Sequence, residues 1–293
     1  MKNYLSSAWF LLIFVVIIWG SNWPIMKIGL QFIDPLWFTV ARLFIALVVI
    51  SIVLILLKRF KLPHRGDVPI VLGVGIMQYA IFVTLINLGL TEVSAGRAAL
   101  LAYTTPLWIA PGAHFLLKEK ISGLKITGIC LGLVGLMVLF NPFNFDWSDS
   151  SVVKGNAMLL MGALVWALSI LHVRKHHWHG SVLELTPWQI MVSLIIVVPV
   201  AWFSETREVE WNNGLVLILL YNGVMATALA QWASIRITQL LPAVTVSLGF
   251  LMVPVAGIIA SSYWLSEPFT LTLGLGMALI MSGLMLQTTL GKR

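Results

Sequence analysis

The sequence is short of charge. Of 293 residues, 18 are Lys or Arg and 11 are Asp or Glu, so only 10% are charged, against about 25% in an ordinary soluble domain. A soluble fold of this length could not cover its surface with so few ionised groups. Disorder requires low hydrophobicity, and a hydrophobic share of 59% with a mean hydropathy of +0.97 excludes it. The single cysteine, Cys130, rules out an internal disulfide and a cysteine cluster for a metal. There is no Walker-type phosphate loop, so direct drive by ATP would need a partner protein. No catalytic constellation stands out. The expectation is a chain that is not an enzyme and needs neither cofactor nor metal.

What the sequence does have is long apolar runs. A membrane-spanning helix needs roughly 20 mostly apolar residues. Ten such segments are predicted, at about 7–29, 35–57, 68–90, 94–117, 121–140, 153–173, 184–203, 213–235, 238–262 and 269–290. The expected fold class is an all-α polytopic membrane protein. The start, Met1-Lys2 and then Ala8–Ile18, has the look of a signal peptide but no small-residue cleavage site follows, so it reads as a retained first helix. Thirteen tryptophans suit membrane interfaces.

The basic residues orient the bundle. With a cytoplasmic N-terminus and ten spans, Lys2, Lys58, Arg59, Lys61, Arg65, Lys118, Lys120, Lys125, Arg174, Lys175, Arg236, Lys292 and Arg293 all fall inside, 13 of the 18. The positive-inside rule then predicts both termini cytoplasmic and an even number of spans. The same placement explains the pI near 9.7 by contact with anionic lipid, and argues against nucleic acid as a partner.

An internal repeat is visible. Pro106, Glu119, Gly128 and Gly135 recur as Pro254, Glu267, Gly276 and Gly283, each pair 148 residues apart, and Gly75 and Gly223 share that offset. Trp19 and Trp166, and Arg42 and Gln189, are 147 apart. Two units follow, 1–148 and 149–293, each with five helices. Five is odd, so the second must enter the membrane inverted. Inverted pairs support alternating access in many secondary transporters.

Certain residues invite a role. Trp19-Gly20-Ser21-Asn22-Trp23-Pro24 is expected to interrupt the first helix. Gly20 permits close backbone approach, and Pro24 frees the carbonyl at Gly20. Arg42, two turns into the second helix, is the costliest placement in the chain. It reads as a structural or gating contact, with an anionic substrate group as the other reading. Lys27 is near enough to the interface to snorkel. Pro106 and Pro254 are expected to bend the fourth and ninth helices in mid-course. Glu119 and Glu267, at the ends of those helices, read as helix caps or gate contacts. Glycine faces on the fifth and tenth helices suggest tight packing or a dimer contact, so the chain is expected to be a monomer or a weak homodimer. Gln78, Tyr79, Tyr103, Thr105, Trp166, Ser169, Gln189, Tyr221, Asn222, Gln231 and Trp232 could line an aromatic, amide-bearing cavity poor in charge. His172, His176, His177 and His179 read as a solvated loop rather than a zinc site.

Trp19-Gly20-Ser21-Asn22-Trp23-Pro24, Asp34-Pro35 with Arg42, Thr105-Pro106-Leu107 with Glu119, and the glycines of the fifth helix together resemble the drug/metabolite transporter superfamily, in its ten-helix EamA branch. Glu267 and Gly276 match the same pattern in the second half. The resemblance implies an inverted five-plus-five fold in a bacterial inner membrane, with a central cavity and small-molecule substrates. Within that branch the chain looks similar to the aromatic amino acid exporters. In those, helices one, three, four, six, eight and nine enclose the cavity. Carried over, this makes Asn22, Gln78, Tyr79, Tyr103, Trp166, Tyr221 and Trp232 the candidate substrate contacts, and Trp19, Gly20, Pro24, Arg42, Pro106, Glu119, Pro254 and Glu267 the gating or structural residues. Export of aromatic or large neutral amino acids is the leading expectation. Export of other amphipathic metabolites or drugs is the alternative, and a channel or a lipid enzyme of the membrane is the rival of a different class.

Overall fold

The computed structural model describes residues 2–118, 123–140, 148–240, 249–250 and 252–289. Among them the regular structure is helical. In chain order it comprises α1 (Lys2–Gly29), α2 (Pro35–Leu56), α3 (Val68–Val74), the π-helix π1 (Gly75–Phe82), α4 (Val83–Glu92), α5 (Ala95–Ala102) and α6 (Thr105–Leu117). There follow α7 (Gly123–Phe140), α8 (Ser150–Lys175), α9 (Val182–Ser204), α10 (Asn213–Leu220), the π-helix π2 (Tyr221–Leu229), α11 (Ala230–Leu240), α12 (Met252–Trp264) and α13 (Leu271–Thr289). A short 3₁₀ turn, Arg65–Asp67, leads into α3.

Six helices among the described residues are long and apolar enough to cross a membrane: α1, α2, α8, α9 and the two continuous rods α3–π1–α4 and α10–π2–α11. Their outward faces are apolar. Phe10 is 70% exposed, Leu56 77%, Ile195 68% and Phe203 84%. Water would not tolerate so much contiguous apolar surface, whereas lipid does. The protein is therefore an all-α polytopic membrane protein of about ten helices.

The two π segments occupy matching places in the two halves. Each carries a glycine at the repeat offset, the first residue of π1 and the third of π2, and each glycine meets a backbone carbonyl. A Cβ added at Gly75 would lie 2.7 Å from the carbonyl oxygen of Gln189 on α9, and one added at Gly223 would lie 3.1 Å from that of Arg42 on α2. Arg42 and Gln189 are themselves a pair at the repeat offset. Each π segment thus crosses the second helix of the opposite half at an equivalent point. A π-helix turns on i→i+5 hydrogen bonds and re-aims the side chains beyond it, and nothing in the composition of these stretches marks it.

Several expectations need correction. The run around Pro24 does not interrupt the first helix, because α1 stays helical through Gly29. Gly20 does serve a close crossing: a Cβ there would lie 2.5 Å from the Cβ of Ala256 on α12. The fourth span is two helices rather than one bent at Pro106. The chain breaks at Tyr103-Thr104, and Pro106 falls in the first turn of α6, where its missing N–H costs nothing. The carbonyl of Ala102, which Pro106 cannot bond, accepts instead from the Thr105 hydroxyl at 2.7 Å. The helix expected to stop near residue 235 runs on to Leu240, since Arg236 does not end it. Pro254 is buried near the start of α12 as described. Glu119 lies outside the described residues. The glycine faces of α7 and α13 pack on each other within one chain, a Cβ at Gly283 falling 2.5 Å from the carbonyl oxygen of Gly128.

Contacts between connections sort the bundle into two ends. At one end the Glu205 carboxylate accepts from the Leu36 and Trp37 amides that open α2, at 2.8 and 3.0 Å. There too Glu267 accepts from the Ala95 and Gly96 amides that open α5, at 2.7 and 3.0 Å. Lys27 donates to the carbonyls of Leu90, Thr91 and Val93 at the close of α4, the favourable place for a cation on a helix. At the other end the buried Asp67 accepts from the amides of His179 and Gly180, at 3.0 and 2.8 Å, and from the His176 ring at 3.2 Å. The histidine stretch is therefore not simply a solvated loop. It is pinned to the α2–α3 connection by an aspartate more than 100 residues away.

Candidate functional site

A cavity opens between the rods. It is lined from the first half by Trp19, Asn22, Trp23 and Met26 of α1, Arg42 and Leu43 of α2, Gln78, Tyr79 and Phe82 of π1, Val83 and Ile86 of α4, Ala102 of α5, and Tyr103. The second half contributes Trp166 of α8, Ala226 and Thr227 of π2, and Gln231 of α11. The space open to water-sized spheres is ≈ 120 Å³, well above the ~10–15 Å³ that one water needs.

Local periodicity builds the walls. Trp19, Asn22, Trp23 and Met26 share one face of α1 at helical spacing. The Trp166 ring stacks on Phe82, with centroids 4.9 Å apart at 28°, and stands edge-on to Tyr103 at 6.0 Å and 90°. Stacked and edge-on pairs are the favoured aromatic geometries, so the three rings hold one another in place. Trp19 is anchored by its indole N–H on the Ala226 carbonyl at 3.0 Å. Ser169 donates to the Gln78 side-chain oxygen at 3.3 Å.

The polar side of the cavity centres on Arg42. Its Nε and one Nη donate to the Thr227 hydroxyl at 3.3 and 3.1 Å, and its other Nη approaches the Met26 sulfur at 3.2 Å. Thr227 in turn donates to the Asn222 carbonyl, five residues back, at 2.7 Å. That donation fits the π turn and leaves the hydroxyl lone pairs facing Arg42. Asn22 donates to the same Met26 sulfur at 2.9 Å, and its side-chain oxygen is buried with no hydrogen-bond partner among the described residues. Among the described residues, no Asp or Glu lines the cavity.

Of the candidate substrate contacts, the structure brings together Asn22, Gln78, Tyr79, Tyr103 and Trp166. Tyr221 and Trp232 stand apart. Tyr221 donates to the Ile18 carbonyl at 3.0 Å and shares a 2.7 Å hydrogen bond with Ser21, which clasps π2 to α1. Trp232 is 38% exposed and turned away, and its neighbour Gln231 takes the wall. A π turn upstream shifts the side-chain register of α11 from that of a plain α-helix. Trp19 and Arg42, expected to gate or support, also line the cavity. Met26 and Thr227 went unnoticed in the sequence. The i, i+4 spacing from Asn22 to Met26 was the available signal for the first, and Thr227 had none.

The family pattern described as the EamA-like transporter family matches the chain twice, over residues 6–141 and 153–289. The chain is 27% identical over 285 residues to the uncharacterized transporter YoaV of Bacillus subtilis, covering 94% of this chain and 95% of that one. It is 25% identical over 293 residues to a probable amino-acid metabolite efflux pump of Escherichia coli, covering 94% and 92%. A solved structure described only as a protein crystal structure superposes with a TM-score of 0.69 at 18% identity, covering 98% of each chain. That last likeness speaks to fold alone.

Proposed function

The chain belongs to the EamA-like transporter family, and from that premise we propose that it exports amphipathic small metabolites across a bacterial inner membrane by alternating access. The observation that carries this reading is the cavity: aromatic walls drawn from both halves and, among the described residues, one buried cation and no carboxylate. Rings and apolar side chains suit a substrate with a substantial apolar part, and a sugar phosphate or a dicarboxylate would find little to neutralise it. A finer reading is export of aromatic or large neutral amino acids. It is supported by the Trp166, Phe82 and Tyr103 rings, and the name of the Escherichia coli relative agrees with an amino-acid-derived substrate.

Residues 1–148 and 149–293 form the two inverted five-helix repeats of this proposal. It is supported by the doubled family match and by the reciprocal crossings at Gly75 and Gly223. Exchange of conformations between such halves opens a central site to one side and then the other. Both termini are cytoplasmic in this arrangement, which an impermeant thiol reagent tests. From outside it should label Glu208→Cys and spare His177→Cys, in a Cys130→Ser background, and the reverse pattern overturns the orientation. With no acid among the described residues of the cavity wall, transport needs no protonatable carboxylate there and runs down the substrate gradient. The functional test is flux into proteoliposomes across a panel of aromatic amino acids, aromatic acids and amphipathic drugs. Saturable flux with mutual competition is expected, and flux linear in concentration for every compound would contradict a carrier.

A further inference from the structure

Arg42 is 9% exposed and lies on the cavity wall. A guanidinium stays protonated in a protein and offers five N–H donors. Among the described residues its hydrogen-bond partners are one neutral hydroxyl, Thr227, and one thioether sulfur, Met26. Sulfur is a weak acceptor. Among the described residues no anion compensates the charge, although an isolated ion deep in a membrane protein is costly. Lys27 shows the contrast, since three backbone carbonyls converge on its ammonium at 2.6–3.0 Å.

Packing does not explain the charge. Gly223 meets the Arg42 carbonyl where π2 crosses α2, and Gly75 meets the Gln189 carbonyl where π1 crosses α9. The second crossing is made with a neutral, buried glutamine. The first would close equally well with one. The charge is spent on the cavity side.

We propose that Arg42 binds the carboxylate of the substrate, so that the protein selects monocarboxylates carrying an aromatic or apolar body; this rests on the transport reading above and names the substrate class of the same site. A planar guanidinium matches a carboxylate through two parallel hydrogen bonds. One fixed positive charge is neutralised by one negative charge, whereas a phosphate dianion would leave a net charge buried. Thr227, held by its own donation to Asn222, orients the guanidinium. The body of the ligand rests against Trp166, Phe82 and Tyr103. Among the described lining residues no carboxylate pairs with an ammonium, so an α-amino group is tolerated over the ring faces and is not required.

The test begins with the wild-type protein and needs no variant to fold. Quenching of intrinsic tryptophan fluorescence is titrated with 3-phenylpropionate, 3-phenylpropionamide and 3-phenylpropylamine. The acid should bind at least about tenfold more tightly than the amide, the scale of one charge-assisted contact, and the amine should bind more weakly still. Amide or amine binding as tight as the acid overturns the assignment, as does no binding of the acid at millimolar concentration. In proteoliposomes, Arg42→Gln should lose about tenfold or more in acid flux while amide flux is retained, and Arg42→Lys should recover part of the acid flux. Equal loss of acid and amide flux in a folded Arg42→Gln protein overturns it. If the wild type binds acid over amide but carries neither, the transport reading fails and the anion site stands.

Discussion

Glu267→Gln separates a structural acid from a coupling acid. The Glu267 carboxylate accepts from the Ala95 and Gly96 amides, the first two of α5, at 2.7 and 3.0 Å. A glutamine keeps one oxygen and turns an NH₂ toward the other amide. One charge-assisted hydrogen bond is lost, about 1.5–3 kcal/mol, together with a favourable helix-end charge of about 0.3–1 kcal/mol. The charge of Lys27, which Glu267 helps to balance, also loses support. The remaining oxygen offsets part of the loss, so destabilisation of about 2 kcal/mol is expected. For a chain of this size that lowers the melting temperature by roughly 3 °C. Glu267→Ala, with neither acceptor, should cost more. Thermal unfolding in detergent gives the stability, and proteoliposome flux with and without an imposed pH gradient gives the activity. Glu267→Gln should melt early and still carry substrate at a substantial fraction of the wild-type rate. A variant that melts like wild type but has lost its flux would refute the capping role and make Glu267 part of the transport chemistry.

Trp166→Ala removes one stacked and one edge-on partner, about 0.5–1.5 kcal/mol each. Half-saturation for ring-bearing substrates should rise several-fold to tenfold, with little change for small ones, and unchanged half-saturation for ring-bearing substrates would remove Trp166 from the site. Gly20→Val places a methyl where Ala256 already stands. It should force α1 from α12 and abolish flux, while Ser21→Ala, one residue on, keeps more than half of it; normal flux in Gly20→Val would disprove the tight crossing. Asp149 caps α8, and its carboxyl is held below the ordinary range by the Ser151 hydroxyl and by the Val152 and Ser151 amides. A depressed carboxylate stabilises above its unfolded value and loses that contribution as pH falls below it. Amide exchange at Ser151 and Val152, corrected for intrinsic rates, should therefore show less protection at pH 3 than at pH 6, and equal protection would contradict the cap.

The helices were legible because lipid imposes a crude rule, about 20 apolar residues per crossing, that residue type alone can reveal. The break at Tyr103-Thr104 was half legible. Pro106 announced a disturbance, but whether proline bends a helix or begins one depends on the turn before it. The π segments were not legible, since an i→i+5 turn leaves no compositional mark. Thr227, inside π2, was as hidden as the π turn itself. Long-range capping was equally hidden. Glu267 could be recognised as a cap, yet its helix lies in the other half of the chain. Asp67 meets His176 and His179 only because the bundle folds two distant loops to one end. Arg42 stood out in sequence for its cost, while its place on the cavity wall and its uncharged neighbours came from the fold.

Counterflow tests the central claim most directly. Vesicles containing the protein are loaded with unlabelled aromatic substrate and diluted into a trace of labelled substrate at zero membrane potential. An alternating-access carrier must return to face outward, and it does so more often when loaded, so label should accumulate transiently above its external concentration and then decline. Label that only approaches the external concentration, at the same rate with and without preloading, would contradict a carrier and leave a passive pore.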